Sequence, residues 1–165
     1  MATKTLIVLR HAKSSWRTTE ADINRPLSDR GEKDAARAGR ILAGYDLSVV
    51  LCSSATRAQQ TWQHARSGGA ACTDVRVSEA IYHAWPGELL GELRELSEAQ
   101  PAVLLIGHQP TLSDLVLGLA KPSHLTRAVA EHFPTCALSV LTYRGAWKTL
   151  DEGKATLKRF EIPRD

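Results

Sequence analysis

The run Ala102-Val103-Leu104-Leu105-Ile106 is continuously aliphatic and leads into Gly107-His108-Gln109-Pro110. A short run of this kind is typical of a strand buried on both faces of a parallel sheet. Earlier runs of the same character occupy residues 5–9, 48–52 and 75–77. Because stretches with helical spacing of apolar residues separate these runs, the chain is predicted to form a mostly parallel sheet covered by helices on both faces.

Capping residues and glycines predict where the helices begin and end. Ser28 predicts the start of a helix that Gly44 ends. The remaining helices are predicted over residues 58–66, 87–99 and 110–119. Two later β-type runs, residues 137–143 and 156–162, are joined by a polar turn and are predicted to form an antiparallel pair at the sheet edge. We therefore expect one domain, residues 1–165, with a three-layer α/β/α fold.

The composition is that of an ordinary globular protein, with 43% hydrophobic and 24% charged residues. The net charge of +3 agrees with an anionic ligand, but the basic residues are scattered, so we expect no nucleic-acid partner. The apolar run before Arg10 is too short for a signal peptide or a membrane span. The odd count of three cysteines, without C-x-x-C spacing, indicates a reducing compartment, and we expect a cytoplasmic protein without a membrane partner.

Polar side chains follow the predicted strands at their carboxyl ends, which is where open α/β sheets bind ligands. Arg10 and His11 follow the first strand, Arg57 comes after the second, Glu79 after the third and His108 after the fourth. Phosphoryl transfer through a side chain needs a nucleophile, fixed donors for the phosphoryl oxygens and an acid for the leaving group. Neutral imidazole is a suitable nucleophile, and arginine donors match phosphate geometry. The sequence therefore predicts a phosphoryl-transfer site.

Four motifs occur in a fixed order along the chain. They are Leu9-Arg10-His11-Ala12-Lys13, Asn24-Arg25-Pro26-Leu27-Ser28, Ser53-Ser54-Ala55-Thr56-Arg57 and Ile106-Gly107-His108-Gln109-Pro110. In this order they resemble the histidine phosphatase superfamily, specifically its compact SixA-type phosphohistidine phosphatase branch. The resemblance covers nearly the whole chain. It implies a phosphoglycerate mutase-like fold and phosphoryl hydrolysis through a phosphohistidine intermediate.

The resemblance also implies a role for each site residue. His11 would be the phosphorylated nucleophile, while Arg10, Arg57 and His108 hold the phosphoryl group and Arg25 adds a further contact. No metal or other cofactor is implied. Glu79 is the positional candidate for the acid, although a helix cap or a salt bridge would explain it equally well. Because residues 79–102 hold only one predicted helix and no large lid, we expect an open site that accepts a phosphorylated protein.

Three alternative functions remain open from the sequence. A small phosphomonoester, such as a sugar phosphate or a nucleotide, presents the same phosphoryl end as a phosphoprotein. A phosphate- or phosphoprotein-binding module on the same fold would bind anions without turnover. A metal hydrolase that uses His11 and His108 is a third possibility, but the sequence lacks H-E-x-x-H and clustered carboxylates.

Several residues outside the motifs are interpreted as packing, solvated or border residues. Asp22 is interpreted as a solvated loop residue, and Trp62 and Trp85 as packing residues. His83 is the histidine outside the motifs that could border the site. Trp16 follows the nucleophile closely and is interpreted either as a border of the substrate site or as a packing residue.

Overall fold

The computed structural model describes residues 2–164, which form a six-stranded sheet between two layers of helices. The strands are β1 (Thr3–Arg10), β2 (Val49–Ser53), β3 (Val75–Ser78), β4 (Ala102–Gly107), β5 (Leu138–Arg144) and β6 (Thr156–Glu161). The helices are α1 (Asp29–Leu42), α2 (Thr56–Ser67), α3 (Glu79–Tyr82), α4 (Pro86–Arg94), α5 (Thr111–Leu119) and α6 (His124–Glu131), with 3-10 turns at Asp22–Asn24 and Trp147–Thr149. None of the helices in this part of the chain has the length and apolar character needed to span a bilayer.

The strand order is β3-β2-β4-β1-β5-β6. Strands β1 to β4 are parallel to one another, whereas β5 is antiparallel to β1 and β6 is antiparallel to β5. The predicted mostly parallel sheet with an antiparallel edge is therefore confirmed. Because β4 lies between β1 and β2, the segments that follow these three strands meet at one edge of the sheet.

The central strands supply two separate hydrophobic cores, one on each face of the sheet. In β1, Leu6 and Val8 pack with residues of α4, α5 and α6, whereas Ile7 and Leu9 pack with residues of α1 and α2. Successive side chains of a strand point to opposite faces, so a continuous aliphatic run fills both cores at once. This is why these strands carry no polar alternation in the sequence.

Strand β3 departs from the predicted burial. Val75 is 37% exposed and Val77 is 50% exposed, because β3 lies at the edge of the sheet with β2 as its neighbour. The expectation that this run is buried on both faces is wrong. Two valines on either side of Arg76 do not by themselves distinguish an edge strand from a central one.

Three helices also differ from prediction. Residues 79–102 hold two helices and not the one predicted, because the short helix α3 precedes α4. Helix α4 ends at Arg94 rather than at residue 99. After Arg94 the Leu96 N–H donates to the Leu93 carbonyl, three residues earlier, which is the tighter 3-10 pattern. A turn at Ser97 follows, in which the Ser97 hydroxyl accepts the Ala99 N–H. Helix α6 was not predicted. It begins at Ser123, whose hydroxyl accepts the Thr126 N–H while the Thr126 hydroxyl accepts the Ser123 N–H.

Helix α1 supports the loop that follows β1. The Ser28 hydroxyl accepts the Gly31 N–H and caps α1 as predicted. The Ser28 N–H and hydroxyl both donate to the Lys13 carbonyl, at 2.9 and 3.1 Å. A Cβ atom on Gly31 would lie 2.1 Å from the same carbonyl oxygen, so glycine is required for this close approach. The first turn of α1 therefore holds the segment after His11 in place.

Candidate active site

A cavity of about 670 Å³ opens where the segments after β1, β2 and β4 meet. Among the described residues that line it, five are cationic and Asp22 is the one carboxylate. The cationic residues are Arg10, Lys13, Arg25, Arg57 and Arg164. A concave surface with this excess of positive charge attracts and concentrates anions.

His11 lies directly after β1 and is only 7% exposed. Its backbone N–H donates to the Gly107 carbonyl at 3.1 Å, which fixes it beside β4. The ring Nδ1 lies 2.7 Å from the Ala12 carbonyl oxygen. Because a carbonyl oxygen only accepts, Nδ1 carries the proton and Nε2 keeps its lone pair. Burial lowers the pKa of His11 to about 3, so the ring is neutral and nucleophilic at neutral pH.

Thr61 of α2 connects the segment of His11 with the segment of Arg57. Its hydroxyl accepts the Ala12 N–H at 2.9 Å and donates to the Arg57 carbonyl at 2.7 Å. The side chain is fully buried, so water does not compete for these bonds. A single hydroxyl therefore sets the position of the nucleophile relative to a cationic donor.

His108 follows β4, and its ring centroid lies 5.1 Å from that of His11. Its Nε2 lies 2.7 Å from the Ser53 hydroxyl, whereas its Nδ1 is buried without a partner in residues 2–164. Burial and the Arg57 charge lower the pKa of His108 to about 4. A bound dianion would oppose both effects and favour the protonated ring, which then offers a donor from each nitrogen.

Three arginines each bond the protein with one part of the guanidinium and leave another part unpaired. Arg10 donates from Nη1 to the Phe133 carbonyl at 3.2 Å, while its Nε has no partner in the described chain. The same holds for Arg57 Nε and Arg25 Nη1. Together with His108 Nδ1, four buried nitrogens of cavity-lining residues lack a hydrogen-bond partner, and the three guanidinium nitrogens among them are donors. A buried unpaired donor costs about 1–3 kcal/mol, so the cluster indicates a ligand with several acceptor oxygens.

Asp22 organises this cluster, and its interpretation as a solvated loop residue is wrong. Its carboxylate accepts from Arg57 Nη2 at 3.1 Å, from Arg25 Nε at 3.3 Å and from the Tyr82 hydroxyl at 2.5 Å. Its backbone carbonyl accepts from Arg57 Nη1 at 2.7 Å. The Tyr82 hydrogen bond is the largest cause that lowers the pKa of Asp22 to about 2. Asp22 is thus an ionised acceptor that orients two arginines.

Glu79 is not brought together with the other predicted site residues. It is the first residue of α3, its side chain is 75% exposed, and its carboxylate faces His83 at 4.0 Å. Tyr82, at the other end of this short helix, lines the cavity instead. The edge position of β3 turns the residue that follows it outward, so position after a strand was not enough to predict a place in the cavity.

The aromatic residues near the site also differ from the packing interpretation. Trp85 is 74% exposed, which contradicts its assignment as a packing residue, while Trp62 is buried as expected. Trp16 is 79% exposed and lines the cavity, with the Arg25 Cζ 3.7 Å from its ring centroid. His83 lines the cavity wall, as its position in the sequence suggested.

The side chains around the cavity do not fit a metal centre. Within residues 2–164 no group of three or more His, Cys, Asp or Glu side chains could hold a metal ion. The neighbours of His11 and His108 are mainly arginines, which are cations and repel a metal. The donor set therefore fits an oxyanion better than a divalent cation, which weakens the metal-hydrolase alternative.

Residues 6–102 match the model of the histidine phosphatase superfamily (branch 1). The chain belongs to this superfamily. Over 162 residues it is 38% identical to the uncharacterized protein Rv1276c of Mycobacterium tuberculosis, and the match covers 94% of this chain and 100% of that relative. The assignment based on four short motifs is therefore confirmed.

Solved structures of other members of the histidine phosphatase superfamily share the fold. A candidate phosphohistidine phosphatase SixA from Nakamurella multipartitia superposes with a TM-score of 0.85 at 30% identity, covering 99% of this chain and 98% of that one. A second SixA candidate, from Agrobacterium tumefaciens, gives a TM-score of 0.80 at 26% identity, covering 97% and 99%. The fold is the phosphoglycerate mutase-like, three-layer α/β fold expected from the sequence.

Proposed function

We propose that this histidine phosphatase forms a phosphohistidine on His11 and that its substrate is a protein phosphorylated on histidine. One observation carries the proposal. His11, with its neutral ring and free Nε2 lone pair, lines a cavity together with three arginines and a histidine that each leave a buried nitrogen without a hydrogen-bond partner. A nucleophile next to unpaired, fixed donors is the arrangement that phosphoryl transfer requires.

The reaction proceeds in two steps. In the first, the Nε2 lone pair of His11 attacks phosphorus, and the bond from phosphorus to the substrate ring breaks with its electrons on the ring nitrogen. The substrate ring carries a proton on its other nitrogen, so it leaves as neutral imidazole. In the second, water attacks the phosphorus, the bond between phosphorus and Nε2 breaks, and inorganic phosphate leaves while Nε2 recovers its lone pair. Arg10, Arg57 and His108 donate to the phosphoryl oxygens in both transition states, with Arg25 as an additional donor.

The choice of phosphohistidine rests on the acids that the cavity offers. Asp22 is ionised, with a pKa of about 2, and Glu79 lies outside the cavity. An alkoxide leaving group depends on a positioned acid for about 10² to 10⁴-fold in rate, whereas the imidazole of phosphohistidine leaves far more readily. Residues 79–102 contain only the short helices α3 and α4 before β4, so a bulky substrate can reach the cavity.

A small phosphomonoester is the second candidate substrate, and His83 is the observation that favours it. This histidine lines the cavity with a side chain that is 68% exposed, so a protonated ring could assist an alkoxide. In this case His83, and not Glu79, would protonate the leaving group. The two candidates therefore differ in whether turnover needs His83.

The test compares kcat/KM for a phosphohistidine peptide and for phosphoserine across one pH series. We expect phosphohistidine to be favoured by at least about 10²-fold, the contribution of an absent general acid. His83→Ala and Glu79→Gln should leave the phosphohistidine rate nearly unchanged. Comparable rates for the two substrates, with phosphoserine turnover lost in His83→Ala, would instead establish the phosphomonoesterase.

Two inhibitors test the metal-independent chemistry. Incubation with EDTA should leave turnover intact, because the proposed mechanism uses only side-chain donors. Vanadate should inhibit, because it mimics pentacoordinate phosphorus between His11 and the arginines. Activity that is lost to the chelator and restored by zinc would favour a metal hydrolase.

A further inference from the structure

The mouth of the cavity continues into two grooves, each bordered by an exposed tryptophan. The Trp16 groove has a volume of about 550 Å³ and shares Lys13, Ser14 and Trp16 with the cavity. The Trp85 groove has a volume of about 250 Å³ and shares Tyr82, His83, His108 and Gln109 with it. Because the grooves have lining residues in common with the cavity, all three form one continuous surface around the phosphoryl site.

The two tryptophans lie outside both hydrophobic cores, and the ring of Trp16 contacts the Arg25 guanidinium. They are 79% and 74% exposed, and the other exposed large hydrophobic residues within residues 2–164 are the smaller Val75, Val77 and Ile162. Trp85 caps α4 through its backbone N–H, which donates to Glu88 Oε1 at 2.9 Å, so the indole is not needed for the cap. Large aromatic side chains on a surface are the residue type that contributes most to protein interfaces.

The two grooves differ in charge. The Trp16 groove carries the exposed cations Lys13, Arg17 and Arg30 and the carboxylate of Asp29, and Arg30 is paired with Asp34 at 3.2 Å, so Lys13 and Arg17 supply most of its positive charge. The Trp85 groove is lined mainly by apolar and neutral side chains, with Asp114 as its carboxylate. A complementary partner would therefore place acidic side chains on the first groove and apolar side chains on the second.

We propose that these two grooves together dock the protein that carries the phosphohistidine. In this complex the phosphoryl group enters the cavity, acidic residues next to the phosphohistidine contact the Trp16 groove, and an apolar side chain contacts Trp85. The inference rests on the proposed function, because it assigns the context of the same phosphohistidine. It goes beyond that function in predicting that flanking sequence, and not the phosphoryl group alone, determines the KM.

The experiment compares three phosphohistidine substrates, one without a peptide and two peptides of equal length and opposite charge. They are free phosphohistidine, a peptide with glutamates next to the phosphohistidine and a leucine further along, and the same peptide with lysines in place of the glutamates. The enzyme variants are Arg17→Glu, which reverses charge in the Trp16 groove, and Trp85→Ala. The matched controls are Arg66→Glu, near the distal end of α2, and Val75→Ala, at the start of β3.

We expect the wild type to have a lower KM for the acidic peptide than for the basic one at about 0.15 M salt, where exposed charges act over about 8 Å. Arg17→Glu should remove or reverse this preference. Trp85→Ala should raise the KM of both peptides by about fivefold or more, as for loss of an interface anchor. The two controls should match the wild type. Free phosphohistidine should be hydrolysed with wild-type constants by both groove variants.

Two failures are distinguishable in this design. If the wild type hydrolyses phosphohistidine but treats the two peptides equally, and neither groove variant changes a KM, the docking surface is refuted while the proposed function stands. If the wild type hydrolyses none of the three phosphohistidine substrates while it hydrolyses phosphoserine, the proposed function is refuted and the docking inference with it. Equal losses for the peptides and for free phosphohistidine would also refute docking, because the variants would then act on the cavity itself.

Discussion

The two ends of β1 carry buried cations with different surroundings. At the amino end, Lys4 is 3% exposed, and its ammonium lies 2.8 Å from the Glu98 carboxylate, which also accepts the Trp147 N–H. At the carboxyl end, Arg10 leaves its Nε buried without an acceptor. The amino end of β1 therefore carries a buried cation with a carboxylate partner, whereas its carboxyl end carries a buried cation with an unpaired nitrogen.

The difference separates stability from function in this fold. A buried charge with its partner costs little to keep, whereas unpaired donors destabilise the folded chain and are retained only where a ligand uses them. Changes at the amino end of β1 should therefore alter the free energy of unfolding and not turnover. Changes at the carboxyl end should alter turnover far more than the free energy of unfolding at neutral pH.

The largest effect is expected at the carboxyl end. Arg57→Ala and His108→Ala should each lower kcat by about 10² or more, because each removes a donor to the transition state. The melting temperature should fall only moderately, because each variant loses internal hydrogen bonds, from Arg57 to Asp22 or between His108 and Ser53, but leaves the two hydrophobic cores intact. Steady-state kinetics and thermal unfolding on the same preparations measure both quantities. A change confined to KM would mean that these residues bind ground state and transition state equally.

The opposite pattern is expected at the amino end. Glu98→Ala leaves the buried Lys4 ammonium without its partner and should lower the free energy of unfolding, with kcat unchanged. Denaturant unfolding measures the loss. As a control, Lys4→Met added to Glu98→Ala should recover much of the stability, because the unpaired charge is gone. Loss of turnover in folded Glu98→Ala would contradict the separation of the two ends.

A smaller effect is expected from the carboxylate that orients the arginines. Asp22→Asn keeps the shape of the side chain but weakens its bonds to Arg25 and Arg57, and kcat/KM should fall by about tenfold, equivalent to about 1.4 kcal/mol. Tyr82→Phe removes one donor to the same carboxylate and should cost less. Since the pKa of Asp22 is about 2, both effects should be constant from pH 5 to pH 8. A loss in Asp22→Asn that appears only at low pH, where the carboxyl group is protonated, would indicate that Asp22 acts as an acid.

The part of the site that the sequence predicted comes from residues adjacent to strands. Arg10 is the last residue of β1 and His11 follows it. His108 directly follows β4, and Arg57 lies in the first turn of α2, after β2. The parallel sheet therefore brings these residues together by its topology. Their positions depend only on which strands are neighbours. The burial of those strands could be predicted from the sequence because aliphatic residues occupy both of their faces.

The part that the sequence did not predict depends on long-range side-chain contacts. Asp22 and Tyr82 are sixty residues apart in sequence and meet through one hydrogen bond. Arg164 reaches the cavity from the end of the described chain, where its guanidinium donates to the Thr135 carbonyl and hydroxyl. Neither contact has a spacing or motif that identifies it. Glu79 shows the converse, because a residue after an edge strand need not face the site.

The smallest effect is the pH dependence of stability that the two buried imidazoles produce. Their pKa values fall from 6.5 to about 3 for His11 and about 4 for His108. Below pH 6.5 the unfolded chain takes up protons that the folded chain does not, so stability decreases as the pH falls towards 4. Each ring should contribute about 1 kcal/mol between pH 6.5 and pH 5.5.

Denaturant unfolding at a series of pH values measures this slope. His11→Ala and His108→Ala should each flatten it, whereas His124→Ala, which removes an exposed histidine at the start of α6, should leave it unchanged. An identical slope in all three variants would show that the two site imidazoles take up protons as readily in the folded state as in the unfolded one.

The central claim is that Nε2 of His11 becomes covalently phosphorylated. Brief reaction with a ³²P-labelled phosphohistidine peptide, followed by a quench in base that preserves phosphohistidine, should leave label on His11 of the wild type. His108→Ala and Arg57→Ala should slow the appearance of this label, and His11→Ala should show none and no turnover. Label on a serine or on His108, or turnover by His11→Ala at the wild-type rate, would contradict the account.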